Sequence, residues 1–205
     1  MSTYTDNRLD FAVARATPVF SASHTGELPM LANQQHGYLV AGNGLFVVGR
    51  GAGFTAVIAL AESPTPTPFA RVTPGIYFDA GRIPRTLINH AADRAIECAP
   101  IEYAGAITYR DDGYALAEPR IDSASPSHVT YDRTFVDDDA LAVDLHSHGL
   151  TSPYFSSTDN ASDEQGIYIA VVFGHCADRR RLSHVARVTI NGHTLALEPD
   201  DWLNG

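Results

Sequence analysis

Asp144–Asp159 reads DLHSHGLTSPYFSSTD, and the reading of the whole chain turns on it. The run before it, Ala140–Val143, is apolar and predicts a buried strand, which puts His146 and His148 at the strand's end. Residues i and i+2 of a strand point the same way, so the two imidazoles are presented side by side on one face. After a loop containing Pro153 comes Ser156-x-x-Asp159, followed by a polar segment, Asn160–Gln165, free of Gly and Pro. That pattern predicts a helix start with Ser156 or Ser157 near the N-cap and Asp159 in the first turn. Residues i and i+3 share a helix face, so Ser156 and Asp159 can aim at one point. Two histidines and one carboxylate are a usual protein share of a catalytic zinc site, which keeps its fourth position for water.

With nine histidines in 205 residues, an HxH pair alone arises by chance in roughly a third of such chains. Requiring Ser and Asp at the two later positions lowers that to roughly two in a thousand, so the set is read as one motif. HxH, seven residues, then SxxD is the signature of the JAMM/MPN metallopeptidases, and the chain resembles that family here without a gap. The family also carries an upstream Glu in a P-x-E-x-x-G frame after a helix, and Pro100-Ile101-Glu102-Tyr103-Ala104-Gly105 matches it. The resemblance spans roughly residues 84–175. It implies zinc held by His146, His148 and Asp159, Glu102 as proton carrier, and Ser156 as a hydrogen-bond donor to the oxyanion. Zinc would polarise a carbonyl and lower the pKa of a bound water from 15.7 to about 7.

The chain departs from the family pattern where many members have Pro directly after HxH. Here Gly149 follows, with Pro153 four residues on, and the second Gly of the element after the Glu is replaced around Tyr109. Other HxH families fit worse. A metallo-β-lactamase pattern, HxHxDH, would need Asp and His where Leu150 and Thr151 stand, and a cupin would need Glu near Ser152 or Pro153.

Each residue also has a plainer reading. Ser156 can simply cap the helix, Asp159 can complement the positive helix N-terminus, and Asp163, one turn on, could replace Asp159 as ligand. Glu97 competes with Glu102 but lies on a helix outside the P-x-E-x-x-G frame. Asp144 shares the strand face of His146 and can orient its ring or serve as an ordinary strand-edge carboxylate. His90, His175, His184 and His193 have no ligand spacing and are expected to be structural or exposed. Cys98 is expected to be a small core side chain.

Working outward, Ile83–Ala99 is the clearest helix, with an apolar stripe of Leu87, Ala91, Ala95 and Cys98 joined by Ile88 and Ala92, ended by Pro100. Ile101–Tyr109 predicts a strand carrying Glu102 near its start, and Tyr114–Ala117 a return strand after the turn at Asp111-Asp112-Gly113. Pro119–Ser127 predicts a loop, His128–Tyr131 a short strand, and Asp137-Asp138-Asp139 a solvated turn. Gly166–Gly174 predicts a buried central strand. Leu182–Ile190 and Thr194–Leu197 predict a hairpin about Asn191-Gly192. Upstream, Tyr38–Ala41, Gly44–Arg50 and Phe54–Leu60 are apolar runs separated by glycine-bearing turns, a small antiparallel meander. Ser63–Pro68 carries three prolines and is an extended connector. Arg71–Asp79 is expected to add a strand leading into the second part. Residues 1–35 show little periodicity and are expected to be partly disordered.

These signals predict an α+β chain: a β-rich extension over residues 1–69, then a JAMM/MPN-like domain over 70–205 with a mixed sheet flanked by helices. Its layout, a glycine-rich β extension before such a domain, also resembles the PRTRC system protein A family. The net charge of −10, from 24 acidic and 14 basic residues, argues against nucleic-acid or anionic-membrane partners, and Arg179-Arg180-Arg181 is too short to reverse that. No signal segment or membrane-length apolar run is read, and two cysteines outside any CxxC pattern fit a reducing cytoplasm. The family resemblance implies a protein or peptide substrate, cut after the tail of a ubiquitin-like or sulfur-carrier protein. A silent interaction scaffold and a hydrolase of small amides are the alternatives.

Overall fold

The computed structural model describes residues 8–65, 67–111, 113–126, 128–131 and 136–205. The expected disorder of the N-terminus falls partly on residues 1–7, outside that set. Helix α1 spans Arg8–Ala16 and strand β1 spans Val19–Ser21, and residues 22–35 follow without helix or strand. The meander follows as β2 (His36–Ala41), β3 (Gly44–Gly51) and β4 (Phe54–Glu62), each turn supplied by the glycines read from the sequence. β5 (Gly75–Phe78) then pairs antiparallel with β4, so it completes the first sheet rather than leading into the second. The order of that sheet is β1-β2-β3-β4-β5, with β1 parallel to β2.

Helix α2 (Arg85–Cys98) buries Ile88, Ala91, Ala92 and Ala95, the centre of the predicted stripe, and stops at Ala99 before Pro100. Strands β6 (Ala104–Arg110) and β7 (Gly113–Ala117) form the next hairpin, so Glu102 sits in the lead-in, two residues before the strand. The Ser- and Pro-rich stretch expected to be a loop contains β8 (Ile121–Ser125), paired with β9 (His128–Tyr131) in a separate ribbon. A cross-strand partner supplies the ladder bonds that the polar sequence of β8 does not advertise. A single 3-10 turn at Asp138–Ala140 leads into β10 (Leu141–Ser147). Helix α3 (Ser157–Ser162), β11 (Ile167–Gly174), β12 (Ser183–Ile190), β13 (His193–Leu197) and the short α4 (Pro199–Trp202) complete the chain.

The second sheet runs β13-β12-β11-β10-β6-β7, with β10 and β11 parallel and the remaining neighbours antiparallel. Parallel neighbours require a crossover, and here it contains α3. One face of this sheet is apolar: Ile107, Val143, Leu145, Ile169, Val171, Phe173, Val188 and Ile190 pack in one core with α2 and with Val47, Phe54, Ala56 and Ile58 of the first sheet. The approach is close enough that a Cβ on Gly49 of β3 would stand 2.8 Å from Ile190. Gln34 reinforces the contact, because its amide accepts from Ile167 N–H at 2.9 Å and donates to the carbonyls of Ile167 and Asp138. The other face of the first sheet holds a smaller core around Leu39, Phe46, Val48 and Val57. The chain is therefore a mixed α+β structure with a β-rich N-terminal region. No helix among the described residues is long and apolar enough to cross a membrane.

Candidate metal centre

Alternation along β10 sends Val143 and Leu145 into the core and leaves Asp144 and His146 on the opposite face, where α3 lies. His148 continues that face one step beyond the strand, held by its N–H to Phe173 O at 2.9 Å. The ring centroids of His146 and His148 are 5.2 Å apart, and Tyr154 meets His148 edge-on at 4.4 Å.

The turn after the histidines explains the missing proline. Gly149 has φ +53°, a region closed to Pro, and a Cβ there would stand 2.6 Å from the Pro100 carbonyl oxygen. The tight approach joins this turn to the segment carrying Glu102. Gly149→Ala is expected to lower unfolding stability by about 1–3 kcal/mol, through left-handed strain and the clash, read as a shift in the urea midpoint. A variant as stable as the parent would mean the turn has another conformation.

Ser156 caps α3 and forms a capping box with Asp159: the Ser156 hydroxyl accepts from Asp159 N–H at 3.2 Å, and Asp159 Oδ2 accepts from Ser156 N–H at 2.6 Å. The cap uses a lone pair of the hydroxyl and leaves its proton available to another acceptor. The second carboxylate oxygen, Oδ1, stands 3.3 Å from His146 Nε2, while Oδ2 is 4.0 Å from His148 Nε2. The ligand atoms of His146, His148 and Asp159 all lie within 4.8 Å of one another. Among the described residues no other group of His, Cys, Asp and Glu gathers in this way.

These donors fit a zinc ion. Two ligands each about 2.1 Å from one ion at a tetrahedral angle stand about 3.4 Å apart. The His146–Asp159 separation of 3.3 Å meets that, and the 4.0 Å between Asp159 and His148 Nε2 is somewhat longer. His146 Nε2 and His148 Nδ1 are both buried without a hydrogen-bond partner. An orphaned buried donor or acceptor costs about 1–3 kcal/mol, and a ligand bond to His146 Nε2 would remove that cost there. His146 Nε2 is close to Asp159 yet not aligned as a hydrogen bond, so proximity and orphaning coexist there.

The local field favours a cation. Burial pulls the His146 imidazole down, but the Asp159 carboxylate, with Asp144 and Glu102 behind it, outweighs burial and holds it above its ordinary value. Burial pushes Asp159 up, yet His146 and the Ser156 hydroxyl and N–H hold it well below the usual carboxylate range. Burial and the neighbouring His146 hold His148 below its ordinary value, against the pull of Asp159. Asp159 and His148 are thereby held in the forms that bind metal, an ionised carboxylate and a neutral imidazole, whereas His146 gives up a proton when it binds.

Tyr103 stands opposite Ser147, since Ser147 N–H donates to Tyr103 O and Tyr103 N–H donates to Ser147 Oγ, each at 2.9 Å. Glu102 precedes that pair in the lead-in to β6, its N–H donating to Ser125 O at 3.1 Å, and its charge is felt at His146. Burial raises the Glu102 pKa, opposed by His146 and His128 and aided by Asp159. A carboxyl raised toward neutrality can both take and return a proton.

The remaining sequence candidates go elsewhere. Asp163, the proposed substitute ligand, is buried against Arg187 and Tyr168 and is not in the cluster. Glu97 is paired with Arg94 on α2. Asp144 accepts from Tyr131 Oη at 3.3 Å, and its charge still reaches His146. His175 pairs with Ser183, and His184 lies between Phe173 and Trp202. Arg187 escaped the sequence reading: it sits in an ordinary alternating strand, and no spacing ties it to the SxxD segment.

Residues 7–79 match the profile of a domain of unknown function, DUF2016, and residues 84–187 match the profile described as prokaryotic homologs of the JAB domain. No curated protein is similar enough to count as a match. Among solved structures, the solution structure of protein DSY2949 from Desulfitobacterium hafniense is similar with a TM-score of 0.45 and 17% identity, over 56% of this chain and 88% of that one. The JAB profile covers just over half of the 205 residues and contains His146, His148, Ser156, Asp159 and Glu102. The chain belongs to the family of prokaryotic homologs of the JAB domain.

Proposed function

We propose that this chain is a zinc-dependent peptidase or isopeptidase that hydrolyses an amide bond after the tail of a ubiquitin-like or sulfur-carrier protein. The observation that carries the reading is the meeting of His146, His148 and Asp159 within 4.8 Å. When bound, a zinc ion supplies Lewis acidity and a water acidified from 15.7 to about 7. Glu102 takes the proton released as the scissile carbonyl is attacked and returns it to the departing amine. Ser156, its lone pair engaged by the cap, donates its hydroxyl proton to the oxygen that gains charge, a contribution of about 3 kcal/mol in comparable sites. Asp159, held by the Ser156 N–H, keeps one oxygen directed at His146.

A silent interaction scaffold is the weaker reading, because a scaffold gains nothing from His146 Nε2 left buried without a partner beside Asp159. The two-part layout, a β-rich region before the JAB unit, supports placing the chain with the PRTRC system protein A proteins. The test is a ubiquitin-like tail fused to a reporter. Cleavage at the end of the tail, abolished by a chelator and restored by zinc, is expected. Intact fusion in the presence of excess zinc, alongside cleavage of a small amide, would move the assignment to small-amide hydrolysis.

A further inference from the structure

Helix α3 carries Ser156 at its cap and Asp159 in its first turn, yet it has only six residues and buries none of them. So short a helix does not hold itself in water, and no apolar anchor fixes it to the sheet. Its placement has to come from polar contacts, and these converge on Arg187.

Arg187 lies on β12 in the cross-strand row Ala106, Asp144, Ala170, Arg187, so its side chain rises from the same sheet face as His146. Its guanidinium carbon stacks 3.8 Å over the ring of Phe155, the residue before Ser156. Nη1 donates to Asn160 Oδ1 at 2.8 Å, the residue after Asp159. Nε donates to Asp163 Oδ2 at 2.6 Å, and Nη2 stands 2.5 Å from the same oxygen. Asp163 in turn closes the helix: its N–H donates to Asp159 O at 3.0 Å, its other carboxylate oxygen accepts from Tyr168 Oη at 2.9 Å, and its carbonyl accepts from Thr189 Oγ1 at 2.9 Å. Only 12% of the Arg187 side chain and 4% of that of Asp163 are exposed, so water competes little for these bonds.

We propose that Arg187 is a positioning residue of the metal centre: by gripping Phe155, Asn160 and Asp163 it holds both flanks of the Ser156–Asp159 turn and sets where the Asp159 carboxylate and Ser156 hydroxyl stand. The inference rests on the metal-dependent reading of the site. A planar fork with a stackable face is needed to make all three contacts at once, and the point charge of a lysine makes only the one to Asp163.

Arg187→Lys separates positioning from folding, because it keeps a cation beside buried Asp163. Zinc affinity, measured by competition with a chromophoric chelator, is expected to fall about 10–100-fold while the melting temperature stays near that of the parent. Amide exchange in the metal-free variant is expected to quicken about ten-fold or more at Asn160 and Asp163, with β11 unchanged. Should Arg187→Lys fail to fold, Asn160→Ala and Phe155→Leu each remove one contact from an accessible position, and each is expected to weaken zinc binding several-fold. Wild type and variants binding zinc equally, with equal exchange, would remove the role of Arg187 and leave the proposed function standing. A wild type that takes up no zinc would remove both.

Discussion

His146→Ala is expected to empty the site: zinc content falls from about one equivalent to near none, and tail cleavage falls on the order of 10³-fold or more. The size follows from what is lost. The imidazole is held by the strand pairing of β10 with β6 and β11, opposite Asp159, so no side chain among the described residues stands ready to replace it. Two donors remain, and His148 lies 4.0 Å from the carboxylate. The fold should survive, because His146 faces away from the core packed against α2 and the first sheet. Metal analysis after dialysis and a thermal melt on the same sample separate the outcomes. A folded variant that retains a full equivalent of zinc would show that the three residues are not the binding site.

Glu102→Gln should give the second largest effect and the opposite signature. The substitution keeps volume and hydrogen bonding but cannot accept a proton, so kcat is expected to fall about 10²–10⁴-fold with zinc content unchanged. The pH profile sharpens the test. Glu102 must be ionised to take a proton, so kcat/KM declines as pH falls through its pKa. In the metal-free site burial raises that pKa, opposed by His146 and His128, while the charge of a bound zinc acts to lower it, so the test is the presence of the limb in the parent rather than its position. In the variant that limb should vanish from the residual activity. Equal cleavage by parent and variant would assign the proton transfer elsewhere.

The cluster of two histidines and a carboxylate is legible because strand and helix periodicity are local: HxH fixes two side chains on one face, and SxxD fixes a cap and a carboxylate. The meander was legible through its glycine turns, and α2 through its alanine stripe. What failed was pairing at a distance. β5 reads as a lead into the second half because it follows the Ser63–Pro68 connector, yet its partner is β4. β8 has little strand character in its own residues and exists through β9. Asp163 looked like a spare ligand because a carboxylate one turn past Asp159 is indistinguishable in sequence from one aimed at metal. Its orientation is decided by Arg187, which arrives from another strand. The glycine after HxH looked like a loosened motif, and the backbone of Pro100 supplies the reason for it.

The capping box gives one carboxylate two duties, since Oδ2 of Asp159 starts the helix while Oδ1 faces His146. Fraying of that first turn and loss of the third donor are therefore a single event, and such local openings need far less free energy than melting the sheets. Warming should disarm the protein several degrees before its β-structure is lost, and zinc, by clamping the same side chain, should narrow that gap.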